Sequence, residues 1–206
     1  MNLLKIVVLS SGGVDSSLLM FLLKKEGHDI YPIHINYGQI AEKKEWNACQ
    51  KICKYLNLEK PTRFNLTDIK KIPSSLTNEN LDIEKNAFLP NRNLLFLVLG
   101  SAYAFSINTY VVAIGIIANP IFPDQTKEFV NTTENCITIS LGKKLKILAP
   151  FISLDKREIL NLAIKHKLPI ELTYYCHSGK TKPCGKCISC KERIAAEKAI
   201  KFRTDE

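Results

Sequence analysis

No stretch of this sequence stays apolar for the roughly 18 residues that a membrane-spanning helix requires. The first ten residues offer only Ile6 to Leu9, with Leu3 and Leu4 cut off from them by Lys5, which is too short for the core of a secretory signal. The reducing cytoplasm is therefore the expected compartment. Tryptophan occurs once and methionine twice, and there is neither a low-complexity tract nor a repeat of about 20 to 50 residues, so solenoids and disordered tails are excluded. The dinucleotide fingerprint G-x-G-x-x-G and the triphosphatase loop G-x-x-x-x-G-K-[ST] are both missing. Acid is scarce as well: 20 acidic residues face 29 basic ones, a formal charge of +9. Most of the excess is local, since Gly142 to Arg193 holds twelve basic residues and four acidic ones. What remains is an ordinary globular composition, 46% hydrophobic and 24% charged over 206 residues, long enough for one domain with a small appendage.

Strand and helix signals alternate along the chain. Lys5 to Ser10 is a short β-branched run, and Ser16 to Glu26 is a leucine-rich helix stopped by Gly27. His28 to Asn36 reads as a strand, Ala41 to Asn57 as a helix with Trp46, Cys49, Cys53 and Leu56 on one face, and Thr62 to Leu66 as a strand. Asp68 to Pro90 has no period and is long for a connection, so a functional or mobile loop is expected. A helix over Asn93 to Ile107, a buried strand over Tyr110 to Gly115, a short helix over Asp124 to Asn131 and a last strand over Leu145 to Leu148 follow. The next helix, Lys156 to Lys167, has Asp155 as N-cap and Glu158 in capping-box position. Repeated βα units predict an α/β fold, a doubly wound parallel sheet with helices on both faces, whose ligands sit at the carboxyl ends of the strands. The expected division is an ATP-binding domain over 1–168 and a metal-binding segment with a helix packed on it over 169–206.

The first turn fits that rule. Ser10, Ser11, Gly12, Gly13, Val14, Asp15, Ser16 and Ser17 combine paired glycines, the hydroxyls of Ser11, Ser16 and Ser17 and a helix N-terminus directly after the first strand, a constellation that cradles phosphate.

Near the other end, Cys176, Cys184, Cys187 and Cys190 form C-x7-C-x2-C-x2-C, with Gly185 permitting a tight turn between ligands. Four thiolates around one tetrahedral Zn²⁺ make a closed, structural site that folds a segment poor in apolar residues. An iron–sulfur cluster is the competing reading, although the Cys-Pro that follows such runs in ferredoxins is missing. His177 sits beside a ligand but as a lone histidine reads as a surface residue. Cys49 and Cys53, at i and i+4 on an apolar face, read as core, and Cys136 has no partner in sequence.

The string S-G-G-V-D-S resembles the pyrophosphate loop of the ATP pyrophosphatases of the adenine-nucleotide α-hydrolase type. Tyr37-Gly38-Gln39 with Glu42 and Glu45, Pro90-Asn91-Arg92-Asn93, Phe122-Pro123-Asp124 and the four cysteines, in that order, resemble the 7-cyano-7-deazaguanine synthase family over nearly the whole chain. The resemblance implies an ATP-dependent carbon–nitrogen ligase that adenylates the carboxylate of 7-carboxy-7-deazaguanine and converts it with ammonia, through the amide, to the nitrile, a precursor of queuosine. It implies Mg²⁺ with ATP, a structural Zn²⁺ and a homodimer; no membrane partner is expected from the sequence, and direct nucleic-acid binding is not expected but stays open. Asp15, Ser16 and Arg92 are the candidate catalytic residues, Asp15 holding Mg²⁺ or orienting the loop. Tyr37, Gln39, Arg92, Asn93 and Asp124 are the candidates for binding substrate. The family's usual Tyr-Pro-Asp-Cys reads Phe122-Pro123-Asp124-Gln125, in a segment from Gly115 that is about two residues shorter. A pocket built for polar edges discriminates strongly through such groups. The alternative reading is a related ATP pyrophosphatase acting on another carboxylate, a tRNA base or a protein terminus.

Overall fold

In the computed structural model, residues 3–118 and 122–204 are described, so the stretch 119–121 of the Gly115–Gln125 segment lies outside the described residues. The elements are β1 (Lys5–Leu9), α1 (Val14–Lys25), β2 (Asp29–Asn36), α2 (Glu42–Tyr55), β3 (Thr62–Asn65), α3 (Arg92–Ser106), β4 (Val111–Ile114), α4 (Lys127–Leu141), β5 (Lys146–Leu148), α5 (Lys156–Lys165) and α6 (Ile188–Thr204). All strand pairs are parallel, in the order β3-β2-β1-β4-β5. The chain winds outward from β1 to β3 and then returns to place β4 on the other side of β1. This reversal leaves a crevice at the carboxyl ends of β1 and β4.

Alternation along β1 explains the two layers. Ile6 and Val8 face an apolar cluster with Leu18, Leu19, Cys49, Ile52, Ile159 and Ala163, from α1, α2 and α5. Val7 and Leu9 face the opposite cluster with Leu97, Ala104, Val130 and Ile137, from α3 and α4. Successive side chains of a strand point to opposite faces, and a sheet covered on both sides has apolar residues at every position. Ala196 of α6 belongs to the first cluster, so the last helix shares the main core.

The parallel sheet and helix placement match expectation, and three details need correction. The leucine-rich first helix begins at Val14, two residues earlier than predicted. The helix expected over Asp124 to Asn131 starts at Lys127, after the cap Thr126, and runs ten residues further to Leu141. Its asparagines and threonines are weak helix formers, and the helix is stabilised by packing Val130, Thr133 and Ile137 against the sheet. The region Asp68 to Pro90 is a packed strap: Leu76 and Leu89 bury against Tyr37, Ser75 N–H donates to Asn86 O, and Ile40 N–H donates to Leu76 O. The Asp155–Glu158 capping box forms, with bonds of 2.8 and 2.7 Å.

Candidate active site

One cleft opens at the crevice between β1 and β4. Its floor is the turn after β1. Gly12 takes φ +79, and a Cβ there would stand 2.4 Å from the backbone oxygen of Glu45, so only glycine lets the loop lie against α2. Gly13 caps α1 with no side-chain bond, so no side chain satisfies the first-turn amides of Val14, Asp15 and Ser16, residues that line the cleft. The Ser11 hydroxyl lies 3.2 Å from that of Ser16, and Gly13 N–H donates to Ser11 Oγ. The Ser17 hydroxyl donates to Gly13 O at 2.7 Å. Ser10 also lines the cleft, with its polar groups engaged: its hydroxyl lies 2.9 Å from the Cys49 thiol and its carbonyl 2.9 Å from His34 Nδ1. Ser11, Gly13, Val14, Asp15 and Ser16 line the cleft, whereas Gly12 and Ser17 shape the turn from behind.

Both oxygens of Asp15 accept from Lys156 Nζ, at 2.8 and 2.6 Å. Lys156 is the first residue of α5, and sequence reading placed it only as a helix start. The capping box that fixes α5 is what aims it at the loop. Arg92 and Asn93 enter from the first turn of α3, because Asn91, in the left-handed region at φ 58, swings the chain into the helix directly after Pro90. Tyr37 and Gln39 line the side formed by β2. Gln39 is fully engaged: its Oε1 accepts from Tyr37 N–H, and its Nε2 donates to Ile35 O and to Glu45 Oε2. It therefore orients Glu45, a cleft residue whose carboxyl is pushed up by burial, against the opposing effects of Gln39, His34 and Arg92. Burial also drives Tyr37 up to about 12. Asp124 is not among the cleft residues; its neighbours Phe122 and Gln125 are, and Phe122 stacks on Phe88 with centroids 5.9 Å apart.

The four cysteines converge, all four sulfurs lying within 4.8 Å of one another, so the group can hold a metal ion. Amide N–H groups of Cys184 and Cys187 donate to the sulfurs of Cys176 and Cys184. Burial opposes ionisation of Cys184, but the Cys187 and Lys186 amides outweigh it and bring the thiol down to about 6, whereas burial raises Cys187 and Cys190. The segment docks on the loop through Tyr174 N–H, which donates to Gly12 O at 2.9 Å. Against expectation, His177 is a cleft residue, its Nε2 2.9 Å from Ser189 Oγ. Burial, with Arg92 and Lys156 nearby, lowers it to about 4, so it is neutral at pH 7. Cys49 and Cys53 are buried in the core as expected, and Cys136 is exposed. Cys53, with Ser10 and His34, draws the Cys49 thiol down to about 6.

Comparison with known proteins is consistent with this arrangement. The model of the family described as "Queuosine biosynthesis protein QueC" matches residues 5–201. The chain is 32% identical to the 7-cyano-7-deazaguanine synthase of Nautilia profundicola, over 92% of this chain and 91% of that one. It is 34% identical to the one from Campylobacter jejuni serotype O:2, over 97% and 96%. Among solved structures, NMN synthetase from Francisella tularensis superposes with a TM-score of 0.53 at 14% identity, over 94% of this chain and 76% of that one. The U34-tRNA thiolase NcsA from Methanococcus maripaludis, solved with its [4Fe-4S] cluster, gives 0.50 at 17% identity, over 100% and 67%. These structural likenesses show the shared fold, and the family match with the two synthase relatives shows that this chain belongs to the QueC family.

Proposed function

We propose that the protein is a cytoplasmic ATP-dependent ligase that adenylates the carboxylate of 7-carboxy-7-deazaguanine and converts it with ammonia, through the amide, to 7-cyano-7-deazaguanine, releasing AMP and pyrophosphate. The observation that carries the reading is the meeting, in one cleft, of the uncapped α1 N-terminus with Lys156 and Arg92. A carboxylate is a poor acyl donor because its leaving group would be oxide, whereas an acyl adenylate expels AMP. Two anions must be brought together to make it, and backbone amides with cationic side chains supply the field for that.

In this reading the loop amides and the Ser11 and Ser16 hydroxyls hold the phosphates. Lys156 leaves Asp15 for the phosphate oxygens, and Arg92 draws in the acceptor's carboxylate. Asp15, on the cleft and released by Lys156, is the group to hold Mg²⁺, which supplies charge neutralisation on the phosphates. Zn²⁺ fits the four cysteines: tetrahedral zinc with Zn–S of about 2.3 Å sets its sulfurs about 3.8 Å apart, and Cys184 and Cys190 lie 3.9 Å apart. A four-iron cage would spread its thiolates further. With all four ligand positions taken by cysteine, that ion is structural. A homodimer is part of the reading, and an uncharged, exposed stripe on α3 supports it.

The experiment is incubation of the purified protein with 7-carboxy-7-deazaguanine, ammonium and Mg-ATP. Formation of AMP and pyrophosphate in step with the nitrile is expected. Substrate-independent ADP would overturn the reading, and adenylation of a tRNA or a polypeptide instead would favour the alternative acceptor.

A further inference from the structure

Among the described residues, five buried side-chain polar atoms have no hydrogen-bond partner: His34 Nε2, Ser75 Oγ, Gln125 Oε1, His177 Nδ1 and Arg193 Nη1. Four of the five residues line the cleft described above. A buried polar atom left unpaired costs about 1–3 kcal/mol, so such atoms belong where a ligand completes them. Three of them, on Gln125, His177 and Arg193, form the wall made by the connection before α4 and by the four-cysteine segment. The anion-binding groups lie elsewhere, on the loop, α3 and α5.

His177 is tied to the metal-binding residues by position. It follows Cys176, and its Nε2 meets the hydroxyl of Ser189, which stands between Cys187 and Cys190. A metal that gathers these cysteines therefore also sets the ring. The segment is docked at two points, one on the phosphate loop and one on the connection between β2 and α2. Tyr174 N–H bonds Gly12 O. Gly179 at φ +68 approaches Ile40 so closely that a Cβ would stand 2.6 Å from its carbonyl oxygen. The distance from His177 to the phosphate site is thus preset before any ligand arrives.

We propose that this wall is the acceptor subsite, with His177 contacting the heterocycle and Ser189 acting as the positioning residue that turns it, so that the four-cysteine segment serves recognition as well as folding. The proposal rests on the ligase reading above. A deazaguanine edge presents N–H donors and a carbonyl oxygen together. Gln125 Oε1 accepts from such a donor, Arg193 Nη1 donates to such an oxygen, and the free nitrogen of His177 supplies the remaining bond.

The test uses the zinc-loaded protein and steady-state AMP formation with ATP and 7-carboxy-7-deazaguanine varied separately. His177→Ala is expected to keep one zinc per chain and an ATP KM within about two-fold of the original, while the acceptor KM rises about ten-fold or more, the equivalent of at least one lost hydrogen bond. His177→Asn, whose amide falls near the place of Nδ1, should recover much of that loss, and His177→Gln, which reaches the place of Nε2, should not. Ser189→Ala should raise the acceptor KM less, and add nothing in a His177→Ala background if it acts through the ring. An unchanged acceptor KM, or a loss of zinc with both KM values rising together, would overturn the proposal. If His177 variants do not fold, Gln125→Ala on the facing connection decides: a rise confined to the acceptor KM supports the subsite and no change rejects it. Absence of AMP from the unsubstituted protein refutes the ligase reading itself, and this inference with it.

Discussion

At the residue scale, Lys156 and Asp15 hold each other in the cleft, with side-chain exposures of 16% and 24%. Removing the cation leaves the Asp15 carboxylate enclosed without its partner and takes a positive charge from the place where phosphate negative charge must be stabilised. Lys156→Ala should therefore lower the rate of AMP formation by about 10²- to 10³-fold, the usual effect of deleting one preorganised donor. Lys156→Arg should retain part of it, as measured by pyrophosphate release. Glu45 allows a pH experiment with a definite sign. Its folded-state pKa is raised above the unfolded value by burial, so above about pH 4.5 the unfolded chain gives up this proton more readily than the native one. Stability associated with Glu45 is full at lower pH and is lost as pH rises toward the folded pKa. The melting temperature of Glu45→Gln should thus gain on that of the unsubstituted protein between pH 4.5 and 7.5. A constant gap would mean that burial does not control the carboxyl.

At the scale of elements, the approach of the turn between β1 and α1 to α2 is the most demanding packing in the site. Gly12 and Gly142 both have positive φ, +79 and +61, but only Gly12 faces neighbours, with Glu45 O 2.4 Å and Cys49 N 2.9 Å from a built Cβ, while nothing lies within 4 Å at Gly142. Gly142→Ala at the end of α4 should cost about 1–2 kcal/mol, the left-handed penalty alone. Gly12→Ala must in addition push α2 from the loop, so it should lower the melting temperature more and abolish ATP binding, which calorimetry with Mg-ATP would detect. The four-cysteine segment is an element of the same kind. With little apolar content of its own, it is seated on Gly12 and Ile40, and an ion on its four cysteines would tie it further.

At the scale of the whole molecule, α3 carries Leu95, Val98, Ala102 and Phe105 at spacings of three, four and three, so they share one helix face, and this face is exposed. Beyond Arg92 the helix has no charged residue. In a chain of formal charge +9, an uncharged apolar face is where a second copy approaches with least repulsion. Val98→Glu should convert the proposed dimer to a monomer in sedimentation experiments while leaving the melting temperature of the fold within a few degrees. An unchanged sedimentation coefficient would place the interface elsewhere or remove the dimer.

The same contrast of scale divides what was legible. S-G-G-V-D-S, the run Pro90 to Asn93 and the cysteine spacing pointed to a glycine turn opening a helix, to a helix start near Arg92 and to four converging cysteines from local order, because backbone freedom, capping and ligand spacing are properties of neighbours in the chain. The alternating βα pattern determined the parallel sheet for the same reason. Sequence could not show that Lys156 reaches Asp15 from 141 residues away, that Gln39 is spent on holding Glu45, that Asp124 is not on the cleft, or that His177 is. Each of these depends on which strand ends meet at the reversal between β1 and β4 and on where the four-cysteine segment docks. The sequence by itself thus determined the chemistry available to this protein, and only the tertiary structure decided which groups share one cleft, because that choice is made by packing between elements far apart in the chain.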